Sequence, residues 1–114
     1  MDMQLSEGPP GSVIVALRGR LDTAGVGEIE TRFYASFLPR GLNALVDLAA
    51  IDFVASMGIR MLVTAAKSLD AKGRRLILFG ATDLVEEVLR DTGIDQFIPL
   101  VADRAAALDR IQSP

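Results

Sequence analysis

Leu45-Val-Asp-Leu-Ala-Ala-Ile51-Asp-Phe-Val-Ala-Ser56-Met-Gly58 is the stretch from which the fold can be read. An apolar strand carrying Leu45, Val46 and Leu48 runs into a short loop, and the loop ends at Ser56, where a long helical pattern begins. Unpaired backbone N–H groups and the positive end of the helix dipole converge at such a position. Two readings of Ser56 follow. It is a helix cap, since serine is a favoured capping residue. Alternatively it is a regulated hydroxyl, because a phosphate added there enters a ready-made anion site.

Working outward, the helix runs from Ser56 to about Lys72 and is closed by Gly73. At 3.6 residues per turn, Gly58, Ile59, Leu62, Ala65, Ala66 and Leu69 share one face, expected to meet a sheet. Arg60, Thr64, Lys67 and Asp70 lie opposite. Two apolar residues do not fit the buried stripe: Val63 falls on the polar side and Met57 borders it.

Before this stretch, Met1–Ser6 and Ser12–Arg20 read as strands joined by the turn Gly8-Pro9-Pro10-Gly11, an antiparallel hairpin. Asp22 and Thr23 are competing caps for a helix that places Val26, Ile29, Phe33 and Phe37 on one face. Gly25 and Gly27 weaken its first turn, and Pro39-Arg40-Gly41 stops it. Beyond the central helix, Arg74–Gly80 is a strand, and Thr82 and Asp83 open a helix expected to bury Leu84, Val85, Val88 and Leu89, with Gly93 as its stop. Gln96–Val101 reads as a last strand, placed at an edge by Pro99. Asp103 caps a final helix with Ala105, Leu108 and Ile111 inward. The alternation predicts an α/β fold: a mixed sheet of four or five strands flanked by about four helices, within one domain spanning residues 1–114.

Composition removes several functions. The 114 residues carry a net charge of −3, which offers no basic footprint for nucleic acid or anionic lipid. No apolar run reaches membrane-spanning length, and Met1-Asp-Met-Gln has no signal-peptide character, so neither insertion nor secretion is expected and a cytoplasmic location is. Cysteine and histidine are both absent. Thiolate chemistry, Cys-based metal sites and a Ser-His-Asp triad are therefore closed to this chain. Gly25-Val-Gly27-Glu-Ile-Glu30 starts like a dinucleotide fingerprint but holds Glu30 where the third glycine belongs. Val54-Ala-Ser56-Met-Gly58 echoes a nucleophile elbow with Val54 in place of its first glycine. Asp22, Asp47 and Asp52 could gather near strand ends, but caps and turns explain them. No catalytic, cofactor-binding or metal-binding residue is expected, and a small nucleotide-using or hydrolytic enzyme is the weakest reading.

Taken together, Leu17-Arg-Gly19-Arg-Leu21-Asp22, Leu45-Val-Asp-Leu48 and Ile51-Asp-Phe53-Val-Ala-Ser56-Met-Gly58 resemble the STAS domain of bacterial anti-sigma-factor antagonists. Gly80-Ala-Thr, Leu84, Val88-Leu89 and Thr92-Gly93-Ile94 extend the resemblance over nearly the whole chain. In that family the segment after the central strand typically reads Asp-Ser-Ser/Thr-Gly, and its first serine is phosphorylated by a partner that is both serine kinase and anti-sigma factor. Ser56 matches that serine and Gly58 the glycine, while Ala55 replaces the aspartate and Met57 the second hydroxyl residue. Asp22 matches the acid of the family's strand-to-helix loop, where partners bind.

The resemblance implies a non-enzymatic switch. Its partners would be a kinase/anti-sigma factor of ATPase fold and a serine phosphatase acting on phosphorylated Ser56. Asp22, Thr23, Ser56, Met57, Arg60 and Val63 would form the binding face. An alternative within the same family is an accessory subunit that binds the ATPase of an ABC transporter, where the serine need not be modified.

Overall fold

Central strands covered on both faces, and period-3.6 burial along the helices between them, organise the molecule. The computed structural model describes residues 1–112. Its strands are β1 (Asp2–Glu7), β2 (Ser12–Leu21), β3 (Asn43–Val54), β4 (Leu76–Phe79) and β5 (Leu100–Val101). Its helices are α1 (Thr23–Ala35), α2 (Ser56–Asp70), α3 (Asp83–Asp91) and α4 (Arg104–Gln112), with a short 3-10 helix at Ile94–Gln96. The strands join one sheet in chain order. The hairpin pairs β1 antiparallel to β2, with Met3 opposite Leu17, and every later pairing is parallel. The mixed α/β sheet expected from the alternation is present with five strands and four helices.

Three successive parallel steps in one direction, each with the usual right-handed crossover, bring α1, α2 and α3 to the same face of the sheet. The side chains record this. Val13, Val15 and Leu17 of β2, Ala44, Val46 and Leu48 of β3, and Leu76 and Leu78 of β4 share a core with α1, α2 and α3. The alternate residues Ile14, Leu45, Ile77 and Phe79 point the other way and meet Ala107 of α4. With no strand after it in the described chain, α4 is free to cross to that second face. The larger core holds Phe33 and Phe37, whose rings meet edge to face at 5.0 Å.

Several details differ from the pattern reading. The central strand does not give way to a loop after Leu48. β3 continues to Val54, paired to β2 through Leu21↔Val54 with two irregularities along the way. Bulges break the in–out alternation, so Ala49-Ala50 and Asp52-Phe53 carry no strand period. The last strand is shorter than Gln96–Val101, because residues 94–96 form the 3-10 helix and the Phe97 and Ile98 N–H groups turn back to the Ile94 carbonyl. Met61, assigned to neither face, is a core residue, whereas Ile59 and Ala66 are only half-buried. Of the four α3 residues expected inside, Val85 and Leu89 are buried and Val88 is half-buried, but Leu84 is 65% exposed, outside the stripe that the helix turns inward. Ala105 is likewise exposed, and Ala107 takes the buried position with Leu108 and Ile111 packed beside it.

Candidate functional site

The carboxyl ends of β2 and β3 are tied together where α1 and α2 begin. The Ala55 N–H donates to the Leu21 carbonyl at 2.9 Å, so the start of α2 is pinned beside the Asp22 loop. Gly58 completes that approach. A Cβ there would lie 2.7 Å from the Leu21 carbonyl oxygen and 2.8 Å from Leu21 Cβ. Gly25 does the same for α1, its backbone resting against the Arg20 carbonyl. These two glycines, which a helix-propensity reading treats as weaknesses, let two helix starts share one corner.

Ser56 is exposed and occupies the first position inside α2, so it is not the cap that its residue type suggested. The cap position belongs to Ala55, whose side chain accepts nothing. The other three helices are each capped by a side chain: Asp22 Oδ1 accepts from the Gly25 N–H at 2.8 Å, Thr82 Oγ1 from Val85 at 3.3 Å, and Asp103 Oδ1 from Ala106 at 2.9 Å. Among the described residues, α2 alone combines an uncapped amino end, no acid in its first turn and a serine hydroxyl without a hydrogen-bond partner. The donors left there have water, or an added anion, as their partners. Ala55→Asp should supply the missing cap and raise stability by about 1 kcal/mol, measurable by urea denaturation.

Beside the hydroxyl lies a shallow groove of about 290 Å³ between α2 and α3, lined by Val54, Ala55, Ser56, Ile59, Val88 and Thr92. Leu84 stands one turn before Val88 and extends this apolar strip into solvent. Met57 is half-buried and packs partly on the core, and Arg60, four residues past Ser56, is exposed. Asp22 and Thr23 sit across the Leu21 contact, with Thr23 exposed. Val63 does not join this groove: it lines a different recess, beside the start of β4.

Two further residues at this corner had no sequence signal as a pair. Arg20 lies over the exposed Phe53 ring at 4.2 Å, and its Nε donates to Asp22 Oδ2 at 3.3 Å. Their neighbourhood depends on β3 running on to Val54 opposite Leu21, the extension that the pattern did not reveal.

The Asp22 carboxyl is held below the ordinary aspartate range, chiefly by the Gly25 N–H; desolvation opposes this, and the Arg20 hydrogen bond and charge add to it. A depressed folded pKa contributes stability above the unfolded value and loses it as pH falls through the folded one. Asp22→Asn keeps a capping oxygen but cannot titrate. Its melting temperature should therefore drop less than the parent's between neutrality and a pH below about 4.

The STAS domain family model matches residues 3–107. Among known proteins, the chain is 27% identical over 97 residues to BtrV of Bordetella bronchiseptica, a candidate anti-sigma factor antagonist, covering 85% of this chain and 84% of BtrV. A candidate anti-sigma factor antagonist of Thermotoga maritima superposes with a TM-score of 0.89 at 19% identity, covering 97% of this chain and 95% of that one. The anti-sigma factor antagonist SpoIIAA in its unphosphorylated form gives 0.79 at 22% identity, covering 97% and 96%. Phosphorylated SpoIIAA from Bacillus gives 0.72 at 21%, covering 97% and 100%. No described helix is long and apolar enough to cross a membrane.

Proposed function

The chain belongs to the STAS domain family, and from that premise we propose that it is an anti-sigma factor antagonist, without catalytic activity, switched by phosphorylation of Ser56. Unphosphorylated, it binds a serine kinase/anti-sigma factor of ATPase fold, and the sigma factor is released. Phosphorylated, it lets that partner go until a serine phosphatase restores the hydroxyl. The observation that carries this reading is the exposed, unbonded Ser56 hydroxyl on an uncapped helix start beside an apolar groove.

Each feature has a part. Exposure gives a kinase access to Oγ, and the uncapped amino end receives the added dianion without competition from a capping carboxylate. The groove gives the partner apolar area next to the modified atom, so the charge lands where contact is made. Asp22, Thr23, Met57 and Arg60 form the polar and half-buried surround of that contact. Leu84 is added to the face, since an exposed leucine continuous with the groove suits a binding surface. The relative SpoIIAA is known in both phosphorylated and unphosphorylated forms, and this chain superposes on each with a TM-score above 0.7. That supports a switch that leaves the fold intact.

Incubation with ATP and a serine kinase of this ATPase class, followed by mass measurement of peptides, tests the reading. One phosphate on the peptide containing Ser56, absent in Ser56→Ala, is the expected result. Modification elsewhere, or none, overturns it. Leu84→Asp should weaken binding of the unphosphorylated protein to that partner about tenfold, as a charge set into an apolar contact does. Its melting temperature should stay near the parent's, since the side chain is 65% exposed.

A further inference from the structure

Opposite the Ser56 corner, at the amino-terminal end of β4, an open recess of about 460 Å³ lies between the second half of α2, the Arg74–Leu76 segment, the loop after the 3-10 helix and the end of α4. Its apolar lining includes Val63 and Leu76, and at its edge Phe97 is 76% exposed, the most exposed large hydrophobic residue described. Four cationic residues, Lys67, Arg74, Arg75 and Arg110, line the recess against one carboxylate, Asp70. That is a third of the twelve Lys and Arg in a chain whose net charge is −3.

We propose that this recess is a second docking surface, taking an acidic segment of a partner protein that seats an apolar side chain among the basic residues. Charge chooses the occupant. A cationic segment is repelled, and a small anion would leave Phe97 uncovered. A flat anionic bilayer fits a concave recess poorly, and the overall negative charge of the chain opposes it.

The surface is also held in shape. The Arg74 Nε donates to the Gly41 carbonyl at 2.7 Å and the Arg74 N–H to the Leu69 carbonyl at 2.9 Å. The Phe97 and Ile98 N–H groups both donate to the Ile94 carbonyl at 2.9 Å. Backbone that is already fixed loses little further entropy on binding. Because the recess and Ser56 lie at opposite ends of the parallel strands, a partner seated here can remain while another is exchanged at Ser56.

The probe is an acetylated peptide with a central leucine flanked by glutamates, titrated into the isotopically labelled full chain and followed by amide chemical shifts. Its control carries lysine for every glutamate. The expected result is saturable shifts at Val63, Lys67, Leu76 and Phe97 with the acidic peptide only, weakening several-fold as salt is raised. Lys67→Glu combined with Arg74→Glu should weaken binding about tenfold or more. Because Arg74 also holds Gly41, Lys67→Glu alone and Phe97→Ser serve as second variants, each expected to weaken binding while keeping the parent's spectral dispersion. Ser56→Asp should bind the peptide as the parent does, which keeps this test independent of the Ser56 reading. Absence of saturable shifts, equal binding of the lysine peptide, or shifts confined to the Ser56 groove would overturn the proposal. So would concentration-dependent shifts at these residues without peptide, which mean self-association, or stronger binding of anionic vesicles at the same residues.

Discussion

Gly25→Ala and Gly58→Ala should each lower stability by about 2–3 kcal/mol, at the upper end of what overpacking a tight contact costs. A Cβ at 25 would overlap the Arg20 carbonyl and lie 3.3 Å from Asp22 Oδ1, while one at 58 meets the Leu21 carbonyl oxygen at 2.7 Å. Both obstacles are backbone at strand ends paired into the sheet, so they cannot swing aside as the tip of a flexible side chain would. The melting temperature should fall by about 10 °C or more in each case. Gly27→Ala is the control, because nothing beyond its own helix backbone and chain neighbours lies within 4 Å of the added Cβ. There, loss of glycine's backbone freedom should make alanine stabilising, by about 0.5–1 kcal/mol. Thermal and urea denaturation of the three variants separate steric necessity from helix propensity.

The second large effect is on binding. Phosphoserine at 56 should weaken the partner complex about a hundredfold or more, because a dianion of about −1.5 to −2 charge would lie within an apolar contact. The same charge sits comfortably in the free protein. It faces the amino end of α2, which no side chain caps, and Arg60 lies one turn on, the favourable order for an intrahelical ion pair. Ser56→Asp, with one charge and a shorter reach, should lose about tenfold. Ser56→Ala should bind constitutively. Since the hydroxyl caps nothing, that variant should melt close to the parent, where a true capping serine would have cost about 1 kcal/mol.

The elements that the sequence revealed are those with a helical period or an unbroken apolar run. The stripe from Gly58 through Leu62 and Ala65 to Leu69, and Val26, Ile29 and Phe33, lie where the period puts them, and the run Val13–Leu17 is a central strand covered on both faces. What stayed hidden depends on geometry between elements. The extension of β3 to Val54 rests on irregular pairing with β2, which erases the alternation. The exposure of Leu84 follows from how α3 is rolled on the sheet, with Val85 and Leu89 inward, which its run of apolar residues does not fix. At the candidate site, the residue type and place of Ser56 were legible, but its exact offset from the cap was not: one residue separates a capping oxygen from a free one. The groove with Ile59, Val88 and Thr92 could not be read at all, since it joins helices whose facing sides only the packed sheet defines. Val63 stands apart from the buried stripe of its helix, and in the structure it packs partly on the core and lines the same recess as Phe97.

The most direct test is a titration of the kinase/anti-sigma partner with protein fully phosphorylated on Ser56, beside unphosphorylated protein, with the melting temperature of each measured alone. Affinity should fall about a hundredfold or more on phosphorylation and return after phosphatase treatment, while the two melting temperatures stay within a few degrees. Equal affinities would contradict a switch at Ser56, and a collapse of the melting temperature would show that the phosphate acts by unfolding the domain.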